Sequence, residues 1–370
     1  MSKLRGIITG VFCVVCCMIF SVCSYAENYD YGTDELYDAV PEDARDFIDS
    51  NDITSDGSGI TELSIEKVFN FIIELILENI KQPSIMLMSL LAVIILTSLL
   101  GGLENIPSGS SATQVFSIVS ALTSTIIISS YLSDALNGIS NSVSSASSFM
   151  LTYIPVLAGV IAVGGHASTA AVFSSVMMIS IEVLAQITSN ILFPLTSCLI
   201  GISAAGGLNS DLNIDKLADG LKKVIIWGLG FIMTIFIGFL TLQTNITASA
   251  DSIALRAARF AVSTSVPFVG GAVSDALSTV KTSVELLKSG IGSFGILIGC
   301  CVLFPVLIKA LCYRFILFVA SVLSDTFGTN DTGRMIKCGE SVMSIVISMI
   351  ICLFLFITIS TALMLMICRQ

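Results

Sequence analysis

Few side chains in this sequence could do chemistry: one histidine, eleven cysteines and a handful of charges set inside apolar runs. His166 stands in Gly164-Gly165-His166-Ala167-Ser168, with no acid or cysteine beside it. A metal site needs several donors at fixed spacing, so a lone imidazole reads as a loop residue rather than a ligand. Cys13 and Cys16 form a Cys-x-x-Cys pair, but it lies in an N-terminal apolar stretch and carries no redox meaning. Cys198, Cys300, Cys301, Cys312, Cys338, Cys352 and Cys368 lie in or beside apolar runs and read as small buried hydrophobes. Neither a disulfide framework nor a zinc site is indicated. There is no phosphate loop, glycine-rich nucleotide fingerprint or nucleophile elbow. The sequence therefore offers no catalytic residue, no metal site and no cofactor site, and ATP-driven work has to come from a partner.

The remaining candidates are charges in apolar surroundings. Glu182, in Ile179-Ser180-Ile181-Glu182-Val183-Leu184, is the one acid well inside an apolar run. An ionisable group at membrane depth is a functional suspect by default. It reads either as part of a polar path or helix contact, or as a structural hydrogen bond to a serine or threonine. Lys309 and Arg314 lie near the ends of apolar runs, where long basic side chains can snorkel to the interface.

Residues 245–289 are the least like ordinary membrane helix. Arg256 and Arg259 are three apart and share a helix face. Val266-Pro267-Phe268-Val269-Gly270-Gly271 then breaks the helix, and a second amphipathic stretch carrying Asp275 follows. The segment is too polar for a simple span and too apolar for a solvated loop. It is expected to be a re-entrant element or an interfacial helical hairpin. Arg256, Arg259, Pro267, Gly270, Gly271 and Asp275 are its candidate functional residues, in a conformational or interaction role.

Long apolar runs must position these groups. The chain is 54% hydrophobic and 12% charged, with a mean hydropathy of +0.94; a soluble domain carries roughly 25% charged residues. Runs of about 18 apolar residues or more cross a bilayer as helices. Candidate spans lie at 85–101, 112–132, 149–163, 169–189, 190–206, 224–246, 291–308, 310–324 and 343–367. Pro194 and Pro305 fall within or between neighbouring runs, so seven to nine spans are expected. The fold class is all-α, a polytopic membrane helical bundle, with the lipid bilayer as its first partner and nothing that points to nucleic acid.

Three regions follow. Residues 1–26 read as a secretory signal peptide: Lys3 and Arg5, an apolar stretch from Gly6 to Phe20, then Ser24-Tyr25-Ala26. Residues 27–82 form an acidic extracytoplasmic segment. From 27 to 81 it holds fifteen acidic and three basic side chains, which accounts for the net charge of −10. Its first part, 27–60, is expected to be exposed and solvated. From Ile60 the apolar spacing predicts an amphipathic helix that leads to Pro83. Residues 83–370 are the polytopic membrane domain. Lys216, Lys222 and Lys223 favour a cytoplasmic loop near 207–223.

Two echoes suggest a repeat. Leu100–Asn105 resembles Ala205–Ser210, and Phe149–Pro155 resembles Phe260–Pro267. Chance likeness of small-residue-rich sequence explains them better than duplication. With the broken segments and Glu182 they are the basis of an alternative reading, an autonomous small-molecule permease.

Residues 250–280, ADSIALRAARFAVSTSVPFVGGAVSDALSTV, with the preceding Phe236–Gln243, resemble the most characteristic block of the stage III sporulation protein AE family. The segment Phe149–Val163, with Pro155, resembles the same family. The resemblance implies a non-enzymatic multi-pass protein of endospore-forming bacteria, seated in the mother-cell membrane that surrounds the forespore. It implies a part in the channel, or feeding tube, that joins the two cells. The implied partners are other stage III A-operon proteins, one of them a secretion-type ATPase, and a forespore-side partner across the intermembrane space. No catalytic residue is implied, and nothing is carried over to the acidic segment.

Overall fold

The computed structural model describes residues 33–54, 57, 59–60, 65–101, 110–206, 214–265 and 270–367. The N-terminal stretch read as a signal peptide lies outside them. Among the described residues the fold is all-α, with no strand. In chain order the helices are α1 Thr33–Asp38, α2 Glu42–Ser50, α3 Ile65–Asn79, α4 Lys81–Gly101 and α5 Ser110–Val163. They continue as α6 Ala167–Ile187, α7 Phe193–Gly206, α8 Ile214–Ser265, α9 Gly270–Thr326 and α10 Asn330–Ile367.

Among the described residues six runs are long and apolar enough to cross a membrane: Phe69–Leu99, Ile118–Val163, Ala167–Ile202, Ala218–Ala254, Ser289–Thr326 and Thr332–Leu365. The nine candidate stretches fall into these six runs because neighbouring ones merge. The stretches at 112–132 and 149–163 belong to one helix, α5, and those at 291–308 and 310–324 belong to α9. Pro155 and Pro305 lie inside these helices without ending them. The runs at 169–189 and 190–206 are joined by a π turn, Thr188–Leu192. Pro194 lacks the N–H that would reach the Asn190 carbonyl, and a wider turn just before it absorbs the mismatch.

Pro83 is the third residue of α4, where a missing amide proton costs no helical bond. The chain passes from α3 into α4 almost without a break, with Ile80 N–H donating to Ile76 O at 3.0 Å and Ser84 N–H to Ile80 O at 3.0 Å.

The C-terminal pair, α9 and α10, forms the middle of the bundle. Their apolar windows are 78% and 72% buried within the protein, against 22% for those of Phe69–Leu99 and Ala218–Ala254. The two are joined by a tight turn at Phe327–Thr329, in which Gly328 takes φ +71°. There Ser324 Oγ donates to Thr329 O at 2.8 Å, and the Thr329 N–H returns to Ser324 O at 3.0 Å. Above this turn Lys337 pairs with Asp325 at 3.0 Å, and Arg314 faces Glu340 at 3.8 Å. Helix α5 closes on the central pair with Phe149, Met150, Tyr153 and Leu157 fully or almost fully buried. The ring of Tyr153 lies against Gly295, where an added Cβ would stand 2.2 Å from ring carbons.

The acidic segment departs from expectation. Leu36, Val40, Ala44 and Ile48 recur every fourth residue and are buried, as are Ile53 and Ile60, all within the main hydrophobic cluster. The segment is acidic on one side and apolar on the other, so it covers the bundle rather than standing in solvent. Arg45 latches α2 to the end of α1, with Nη2 donating to Asp38 O at 2.7 Å and Nε to Val40 O at 3.0 Å. Phe47 meets Phe71 of α3 with ring centroids 4.4 Å apart. Gly57, at φ +84°, approaches the backbone of Gly290 so closely that a Cβ would lie 2.7 Å from its Cα.

Candidate functional site

Helix α8 runs unbroken from the apolar stretch Ala218–Ala254 to Ser265, so Arg256 and Arg259 are carried on its C-terminal extension. Arg256 is exposed there. Gly270 and Gly271 begin α9, and Asp275 lies in its second turn. Pro267 lies outside the described residues. The stretch read as an interfacial or re-entrant hairpin is thus built, as far as it is described, from the ends of two very long helices.

Glu182 sits near the centre of the run Ala167–Ile202, on the outside of the bundle. Its Oε1 accepts from Gln186 Nε2 at 2.9 Å, one turn along the same helix. Lys309 and Arg314, read as lying near span ends, are mid-helix, because the two runs that flank them are one helix. Arg314 faces Glu340, and Lys309 Nζ lies 3.5 Å from where a Cβ on Gly138 would stand.

Sequence reading missed a junction at one end of the bundle. Asp251 of α8 is buried and holds the N-terminus of α6. Its Oδ1 accepts the Ser168 N–H at 3.2 Å, and its Oδ2 accepts the Thr169 N–H and the Thr169 hydroxyl, each at 2.8 Å. The first amides of a helix lack internal partners and the helix dipole favours a negative charge there. The residue just before α6, His166, supplies no capping side-chain bond, so the cap comes from 82 residues away in the sequence.

At the opposite end three hydroxyls tie three helices together. Thr97 of α4 bonds Ser120 of α5, and Ser120 Oγ lies 3.2 Å from Thr332 Oγ1 of α10. Each also satisfies a polar group that the apolar interior would otherwise penalise.

Between these two ends lies the polar surface of α5. Its inward face is apolar, with Ile128, Leu132, Leu136, Ile139 and Val143 buried. Its outward face from Ser130 to Ser148 is different: every exposed residue on it is Ser, Asn or Asp, including Asp134, Asn137, Asn141 and Ser144. Tyr313 of α9 stands within electrostatic reach of Asp134 and Tyr131, and its hydroxyl donates to Gln82 Oε1 at 3.3 Å. Lys309 borders the same surface at Gly138. Among the described residues no group of three His, Cys, Asp or Glu side chains is placed to share a metal ion.

The chain matches the family model described as stage III sporulation protein AE over residues 48–367, a stretch that contains all six long apolar helices. It is similar to the stage III sporulation protein AE of Bacillus subtilis (strain 168), with 27% identity over 296 residues that cover 80% of this chain and 72% of that protein. No solved structure matches it. A match over most of the chain, on an all-α bundle with six helices fit to cross a membrane, means that this chain belongs to the stage III sporulation protein AE family.

Proposed function

We propose that the protein is the polytopic membrane component of a sporulation transport complex that links mother cell and forespore and is needed for forespore development. In this reading it sits in the mother-cell membrane around the forespore. It works with other stage III A-operon proteins, including a secretion-type ATPase that supplies the energy, and it performs no catalysis itself. The family match over residues 48–367 carries the reading, because it covers all six of the long apolar helices among the described residues.

Two features favour a component over an autonomous permease. The middle of the bundle is filled by α9 and α10, whose apolar windows are 78% and 72% buried, which leaves a single copy little room for a central path. The proline-containing stretch Phe149–Pro155, one basis for the permease reading, is continuous helix. Discontinuous helices are what transporter sites are usually built from.

The six runs also fit one orientation. If the acidic segment lies outside the cytoplasm, three crossings bring the chain to the cytoplasmic side at Lys216, Lys222 and Lys223. The five candidate spans that precede residue 207 in the sequence lead to the same side, because both numbers are odd. Arg256 and Arg259 then face the intermembrane space.

The test is an in-frame deletion in the source organism, followed by microscopy through sporulation. Complementation uses wild type and the double variant Arg256→Ala/Arg259→Ala. Engulfed forespores that stall or shrink, rescued by wild type alone, support the reading and give the arginine pair a role. Normal spores in the deletion strain would overturn it. Co-purification with the operon's other products separates the two readings further, since a lone permease would transport after reconstitution by itself.

A further inference from the structure

The outward face of α5 is the surface least suited to lipid. Within the run Ile118–Val163 the polar stretch Ser130–Ser148 is flanked by residues 118–129 below and 149–163 above. At 1.5 Å per residue these flanks are about 18 Å and about 22 Å long. A bilayer crossing needs about 20 residues, or roughly 30 Å. Neither flank is long enough, so a crossing made within this run carries part of the polar stretch into the hydrocarbon layer.

Serines can satisfy themselves there by bonding back to the helix, as Ser142 Oγ does to Gly138 O at 3.2 Å and Ser147 Oγ to Val143 O at 2.9 Å. An asparagine side chain has two donors and an acceptor and cannot be satisfied so easily. Among the described residues neither Asn137 nor Asn141 makes a side-chain hydrogen bond, and both are exposed. Asp134, one turn from Asn137, adds a carboxylate. Lipid facing these groups would leave them without partners, which hydrocarbon penalises heavily.

The contrast with α8 is direct. Phe236 of α8 packs on Phe356 of α10 at 6.1 Å between ring centroids, and Ile357 in turn approaches Gly299, which also approaches Met150 of α5. These contacts put the middle of α8 level with the top of the α5 stripe. Around that level α8 shows Trp227, Phe231, Ile235 and Phe239 to the outside. One flank of the bundle is dressed for lipid, and the other is not.

We propose that the Ser130–Ser148 face of α5 forms one wall of a water-filled passage through the membrane, the remaining wall coming from neighbouring subunits. A dry helix–helix contact in a membrane is built from close-packed small and apolar residues. This face has no apolar residue among its exposed positions from Ser130 to Ser148, and it carries Asp134, so water is the occupant it fits. Small hydrophilic solutes are the class it would pass. The proposal rests on the transport reading above and gives this chain the part of lining the passage rather than only scaffolding it.

The test is thiol accessibility in membranes sheared from sporulating cells, with full-length protein in which Cys198 and Cys312 are changed to serine. Asn137→Cys and Asn141→Cys are compared with Leu151→Cys, an exposed apolar position farther along α5. Water at the stripe predicts that a charged methanethiosulfonate labels the two asparagine positions at least ten-fold faster than Leu151→Cys. The membrane-permeant N-ethylmaleimide reports that each variant is present and reactive. Equal, slow labelling at all three positions would overturn the proposal and mark a dry protein or lipid contact. The readout is independent of spore formation. Fast labelling together with normal spores in the deletion strain would sink the sporulation transport reading and leave the passage standing. Slow labelling together with stalled forespores would do the reverse.

Discussion

The carboxylate of Asp251 holds the first turn of the helix that begins at Ala167, with the backbone N–H and the hydroxyl of Thr169 both donating to one oxygen at 2.8 Å. This joins α8 to α6 where α5 turns into α6. Loss of a helix cap costs about 0.5–2 kcal/mol, and hydrogen bonds to a charged group lie toward the upper part of that range. Asp251→Ala should therefore lower the unfolding temperature of the purified protein in detergent, and Asp251→Asn, which keeps one acceptor, should lower it less. Equal stability of all three proteins would mean that the junction carries no weight.

A second prediction concerns Gly295 and Tyr153. Any side chain at 295 meets the tyrosine ring, so Gly295→Ala should destabilise by about 1–3 kcal/mol, the usual cost of overpacking a filled core. Shortening the ring should relieve the clash. In a double-mutant cycle with Tyr153→Leu, the two changes together should cost less than their sum. Strict additivity would show that the ring is not what keeps position 295 glycine.

The acidic segment gives a third. Ile48 is fully buried in the main cluster, whereas Asp52 nearby lies at the surface turn of positive φ. Ile48→Ala should cost about 2–5 kcal/mol and open the segment to protease. Asp46→Ala, at a surface position, should stay within about 0.5 kcal/mol. If both variants behaved like wild type, the segment would be solvated after all.

The fourth is a pH effect. The Tyr37 hydroxyl donates to Asp49, and this bond, with the nearby carboxylate charge, holds the phenol above its ordinary value of 10.0. A raised value in the folded state means that the contact stabilises the fold below pH 10 and is lost as pH rises through the raised value. Subtracting the phenolate absorbance titration of Tyr37→Phe from that of wild type should reveal one late-titrating tyrosine. A difference curve centred at or below 10 would contradict the contact.

Helix positions were legible because apolar runs announce themselves, and a family block was legible in residues 250–280. The union of 112–132 with 149–163 was not. Hydropathy averages over all sides of a helix, so Ser133–Ser148 falls between two candidate spans, although Leu136, Ile139, Val143 and Ala146 keep helical spacing on the buried side. The burial of Leu36, Val40, Ala44 and Ile48 was hidden in the same way, by acids such as Asp38, Asp46 and Asp49 at exposed positions between them. Asp251 was unreadable for a different reason. Its partners, Ser168 and Thr169, are 83 and 82 residues away, and local sequence shows only caps that lie beside their helix.

The two helices that fill the middle of the bundle come after all the other described helices in the chain. Until α9 and α10 leave the ribosome, α3 to α8 must wait in the membrane with the faces they will bury against that pair uncovered. Assembly of this protein should therefore run from rim to hub, with the arrival of α9 and α10, rather than of α3 and α4, as the step that commits it. A stop codon ahead of α9 would remove the hub and strand the rim, and quality-control proteases should clear such a product sooner than one shortened at the acidic end.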